Sequence, residues 1–91
     1  MRQDQFSTSW SAPAQRDLAK LPEKVATAVV EFIYGGLADN PQRVGHALAL
    51  ELAGLHSARR GDFRVLYRIN DGEAVATIVN IDHRADIYRR R

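Results

Sequence analysis

Between residues 63 and 70 every odd position is apolar or aromatic (Phe63, Val65, Tyr67, Ile69), while the even positions Arg64, Leu66, Arg68 and Asn70 are mixed. Alternation with a period of two predicts a strand with one buried and one wet face. Gly61-Asp62, just before it, supplies the glycine that a two-residue hairpin needs for positive φ, and Asp71-Gly72, just after it, reads as a second such turn. Counting outward from the two turns places Arg59 opposite Arg64 and Arg68 opposite Val75. The same count sets Ala74, Ala76 and Ile78 beside the apolar face, and makes Leu66, Val75, Thr77 and Val79 the floor beneath the arginines. A slip of one residue in either turn reverses these faces.

Upstream the period changes. Gln5 to Trp10 alternates as a first strand, with Phe6 its clearest apolar residue. Ser11-Ala12-Pro13 then has the chemistry of a helix start, a serine N-cap with proline in the first turn, and predicts a short helix over 12–20 with Leu18 and Leu21 facing inward. Leu21-Pro22 breaks it. Val25, Val29, Ile33 and Leu37, with Phe32 alongside, form one apolar stripe on a second helix over 23–37. Gly35-Gly36 weakens its last turn and Asn40-Pro41 stops it. Residues 41–55 read as an extended connection ending at Gly54, or as a short helix. The order strand, two antiparallel helices, three-stranded antiparallel meander predicts a single α+β domain over 1–91, in which one small twisted sheet is covered by helices on one face.

Composition narrows the chemistry. The chain of 91 residues has no cysteine, so a disulfide framework and a thiolate metal site are both excluded. No apolar run reaches the length of a signal h-region or a membrane span, and the sequence reads as cytoplasmic with no membrane partner. The net charge of +2 is unevenly placed: residues 1–55 hold 5 Lys+Arg against 6 Asp+Glu, residues 56–91 hold 8 against 5, and all eight of the latter bases are arginine. Arginine is the side chain suited to bidentate phosphate recognition. Like charges facing each other across a ladder are destabilising. Arg59, Arg64 and Arg68 on one open face therefore point to an anionic partner, with nucleic acid or ribonucleoprotein the natural class.

After the last strand the chain runs His83-Arg84-Ala85-Asp86-Ile87-Tyr88-Arg89-Arg90-Arg91. Gly-Asp-Phe-Arg-Val-Leu-Tyr-Arg-Ile on one strand, a second strand close behind it, and His-Arg-Ala-Asp-Ile-Tyr near the end together resemble the RelE/ParE superfamily of bacterial toxins, on the RelE side. The resemblance covers nearly the whole chain. It implies a ribosome-dependent messenger RNA endonuclease, an mRNA interferase that inhibits translation. It also implies a cognate RelB-like antitoxin that holds the toxin inactive, and operator DNA met only through the toxin–antitoxin complex that represses its own operon. The substrate it implies is the message in the A site of the 70S ribosome. By motif, the family's strand arginine corresponds to Arg64, the arginine after the last strand to Arg84 and the C-terminal tyrosine to Tyr88. Two strand lysines of the family find Leu55 and Ser57 at their positions, with His56 and Arg59 the nearest substitutes, so this chain departs from the pattern at the proton-transfer step.

The residues can also be read for the chemistry alone. Cleavage by the ribose 2′-hydroxyl needs a base, positive donors for the pentavalent phosphate and an acid for the leaving 5′-oxygen. Arg64 and Arg84 suit the donor role, and His83 or Tyr88 the proton transfer, the imidazole because it titrates near neutrality. Arg59, Arg60, Arg68, Arg89 and Arg90 are candidate phosphate contacts, Arg89-Arg90-Arg91 forming a basic tail of non-specific affinity. The route needs no metal or other cofactor, and His56 with Asp62 is a poor metal pair. Plainer readings stand beside these: Arg64 and Arg68 paired to Asp82 or Glu73, Arg84 bridged to Asp86, Tyr88 packed on the sheet, and His56 and His83 on the surface. Two other functions fit the pattern, a gyrase inhibitor of the ParE branch and a non-catalytic RNA-binding or repressor module.

Overall fold

Ser11 starts the first helix by working in two directions. Its Oγ accepts the Ala14 N–H at 3.1 Å and donates to the Val79 carbonyl at 2.8 Å, tying the helix to a strand far along the chain. The computed structural model describes residues 5–83. Strand β1 (Ser7–Trp10) leads into helix α1 (Ala12–Ala19), with Pro13 in its first turn, and helix α2 (Glu23–Phe32) follows. The Gly35-Gly36 pair does not fray this second helix. The chain widens there into a π-helical turn, Ile33–Leu37, which turns Phe32, Ile33, Leu37 and Ala38 all into the core.

The connection 41–55 is more structured than an extended run. It holds a one-turn helix α3 (Pro41–Val44), a two-residue strand β2 (His46–Ala47) and a 3₁₀ turn (Leu50–Leu52). The meander β3 (His56–Arg60), β4 (Phe63–Asn70) and β5 (Val75–His83) completes a five-stranded sheet in the order β1-β5-β4-β3-β2. Strand β1 lies parallel to β5 and the other pairs are antiparallel. Helices cover the face carrying Val65, Tyr67, Ala76 and Ile78, each with no exposed surface, and there Val29, Ile33 and Leu37 complete the core.

Register decides which side chains meet. Gly61-Asp62 is a two-residue loop with Gly61 at φ 58°, and Arg59 pairs with Arg64 as counted from it. The loop after β4 is longer than Asp71-Gly72 alone: Asn70 pairs with Val75, and Ala74, outside the ladder, adopts φ 54°. The longer loop shifts the pairing by one full period of the pleat, so Arg68 faces Thr77 rather than Val75 while the residues from Val75 to Ile78 keep their predicted faces.

A second irregularity does not cancel in this way. Between Leu66 and Tyr67 the β4–β5 register breaks, Tyr67 pairing with Ile78 but Leu66 with Asn80, so β5 carries one extra residue. Helix α1 holds this bulge. The Asp17 carboxylate accepts the Ile81 N–H at 2.9 Å and the Asn80 side-chain amide at 3.3 Å, and Ser11 binds the Val79 carbonyl. Beyond the bulge the alternation of β5 is inverted. Ile81 and His83 turn under the helices and Asp82 turns out.

Candidate functional site

The uncovered face of the sheet is built from residues of four strands. Ser57 and Arg59 on β3 stand opposite Leu66 and Arg64 on β4, His46 on β2 stands opposite Ser57, and Asp82 on β5 stands opposite Arg64. With Leu48 and Leu52 these residues line a hollow of about 510 Å³. Its chemistry is divided: two guanidinium groups, a carboxylate and an imidazole lie along the strands, and three leucines form the wall. Leu50, between the two wall leucines of the connection, holds a left-handed φ of 59° and is 90% exposed.

The charges are unequally balanced. Arg64 lies 3.7 Å from the Asp82 carboxylate, with both side chains about half exposed. An exposed pair at that distance is worth about 0–1 kcal/mol, too little to hold the arginine away from a stronger anion. Arg59 and Arg64 remain cross-strand neighbours of like charge. A phosphate group between them would meet both guanidinium forks through charge-assisted hydrogen bonds, which are about twice as strong as neutral ones.

Not every predicted site residue joins this hollow. Arg68 is on the same face but further along β4, its guanidinium reaching toward Gly54. Arg60 belongs to the opposite face: it pairs with Phe63, and its guanidinium lies 5.2 Å from the centre of the Phe32 ring. Strand alternation alone separates it from its neighbour Arg59. His83 is a correction of a different kind. Uninterrupted alternation along β5 carries it to the arginine face, but the bulge turns it inward, where it is 8% exposed and borders a hollow with Lys24, Val25, Ala28 and Phe63. His56 also faces the helices, its ring 5.5 Å from that of Tyr67. Arg84, Tyr88, Arg89 and Arg90 lie outside the described residues. Among the described residues no group of three or more His, Asp or Glu is placed to hold a metal ion.

His46 is the residue that sequence reading missed. It sits in the stretch whose pattern is least legible, and the signal that finds it is Gly45. A Cβ at Gly45 would meet the Ser57 carbonyl oxygen and come within 2.6 Å of the Tyr67 hydroxyl, so only glycine brings the chain close enough to β3 to start a strand there. Tyr67 is itself fixed from the other side, its hydroxyl donating to the Pro41 carbonyl, and burial pushes its pKa up to about 12. The edge of the site is thus fastened to the core at one ring.

Comparison with known proteins places this geometry in context. Residues 8–88 match the family model described as ParE toxin of type II toxin-antitoxin system, parDE. Toxin RelG of Mycobacterium tuberculosis is 52% identical over 85 residues, spanning 93% of this chain and 98% of that protein. Toxin RelE of the same organism is 53% identical over 84 residues, spanning 92% of this chain and 87% of that one. A chain in the crystal structure of the toxin–antitoxin complex RelBE2 from Mycobacterium tuberculosis superposes with a TM-score of 0.89 at 47% identity, covering 93% of this chain and 98% of its own.

Proposed function

The chain belongs to the ParE toxin family of type II toxin–antitoxin systems, and on that premise we propose that it is a ribosome-dependent endoribonuclease that cuts messenger RNA in the A site. The reading rests on one observation above others: Arg59 and Arg64 face each other on the uncovered side of the sheet and line the hollow. In the proposed reaction the ribose 2′-oxygen attacks the adjacent phosphorus, the bond to the 5′-oxygen breaks, and the two guanidinium groups neutralise the charge that accumulates on the phosphoryl oxygens. The leucine wall offers a nucleobase an apolar surface. Arg84 and Tyr88 are proposed, from their places in the sequence motif alone, to add a further donor and a proton-transfer or stacking group.

A hollow of about 510 Å³ has room for little more than the nucleotide at the cleavage point, which fits a substrate presented by the ribosome rather than one seized from solution. Isolated RNA is therefore expected to be cut poorly. A cognate antitoxin partner is proposed by likeness to the RelBE2 complex. Acidic side chains on such a partner would neutralise the arginine face, and binding to operator DNA would run through the pair.

A second reading is favoured by the family model itself, which carries the ParE name. On that reading the protein inhibits gyrase without cutting nucleic acid. Purified ribosomes programmed with a defined message, assayed in parallel with a supercoiling reaction, separate the two. Cleavage of the message supports the nuclease. Blocked supercoiling with an intact message replaces it with the inhibitor.

A further inference from the structure

The hollow contains a group for which the donor chemistry above has no use. His46 stands on the two-residue edge strand β2, exposed, in register with Ser57 and on the same face as Arg59 and Arg64. The chain has three histidines, and the other two, His56 and His83, are turned toward the helical layer. Neighbouring strands lie about 5 Å apart and successive same-face residues about 7 Å apart along a strand. One strand and one pleat repeat thus separate His46 from Arg59, a spacing that a ribose and its 3′-phosphate can bridge.

We infer that His46 is the general base that accepts the 2′-hydroxyl proton, an assignment that rests on the nuclease reading and completes it. Imidazole is the side chain that takes up and releases protons near neutral pH. The other groups facing it across the hollow cannot substitute. Arg59 and Arg64 carry hydrogen-bond donors and no acceptor, and Asp82 stands on β5, with β4 and β3 between it and His46. In the step, the 2′-oxygen bonds to phosphorus as its proton passes to the imidazole. The bond from phosphorus to the 5′-oxygen breaks, and that oxygen takes a proton from water. The hydroxide left behind removes the proton from the imidazolium, so His46 is restored and the products are a 2′,3′-cyclic phosphate and a 5′-hydroxyl.

The test is single-turnover cleavage of a defined message on programmed ribosomes across pH, with the full-length protein and its His46→Gln and His46→Ala variants. Because His46 is exposed on an edge strand, both variants should melt with the wild type. His46→Gln is expected to lower the rate by about 10²–10⁴-fold and to remove the limb of the pH profile that rises through the imidazole range. Added imidazole should restore part of the rate of His46→Ala. Wild-type rate in His46→Gln, or a reduced rate with the wild-type pH profile intact, overturns the assignment while leaving the nuclease reading in place. An intact message with the wild-type protein overturns both.

Discussion

The two faces of the sheet are made from the same strands by the same alternation, yet they obey opposite rules. Beneath the helices Tyr67, Val65, Ile78 and Ile33 have no exposed surface, and even the one phenol there is hydrogen-bonded. On the other side Arg59 and Arg64 confront each other, and among the described residues Arg64 has one long contact, to Asp82. The covered face lowers the free energy of the fold. The open face sets like charges opposite each other across the ladder, with one weak ion pair beside them.

Substitution should expose that contrast most sharply at Arg64. On the proposed function Arg64→Ala lowers the cleavage rate by about 10²–10³-fold, or about 2.7–4 kcal/mol of transition-state stabilisation, while its melting curve stays within about 0.5 kcal/mol of wild type. Parallel cleavage and urea-unfolding assays check the pair of values.

On the covered face the largest effect is expected from alkali. Burial raises the Tyr67 pKa from 10.0 to about 12, so the neutral phenol is favoured by the fold. The corresponding stability is fully present below pH 10 and is lost as pH rises toward 12, by up to about 3 kcal/mol at 1.36 kcal/mol per unit. Urea midpoints measured through that window should fall, and Tyr67→Phe should remove this part of the slope. Asp17→Ala comes next. It leaves the Ile81 N–H without its partner and should cost about 1–3 kcal/mol, with chemical-shift changes concentrated at residues 79 to 83.

The smallest effect tests the division itself. Arg60 adjoins Arg59 in sequence but lies over Phe32 on the covered side, so Arg60→Ala should lower stability by about 0.5–1 kcal/mol and leave cleavage unchanged. Loss of cleavage in this variant at unchanged stability would erase the distinction between the faces.

Much of this arrangement is legible in the sequence, and the parts that are not share one cause. Periodicity and local chemistry identify the helices, the Ser11 cap, the strand over 63–70 and the facing of Arg59 on Arg64, because each depends on residues near in the chain. The extended loop at 71–74 is hidden, since Asp71-Gly72 is itself an adequate turn, yet its error is harmless because it spans one pleat period. The bulge in β5 is hidden for a deeper reason. Its stabilising partners, Ser11 and Asp17, are more than sixty residues away, and nothing in Val79-Asn80 announces them. That single insertion moves His83 off the arginine face. His46 was obscured in turn because a two-residue strand has no periodicity to read.

Gly45 carries that edge strand, and its confinement has an evolutionary meaning. With a backbone oxygen and a phenol closing the space where a methyl group would stand, mutational drift at this codon is shut off. A library randomised at position 45 should return glycine alone among folded survivors, so the imidazole beside it keeps a placement dictated from within, whatever the surrounding loop becomes.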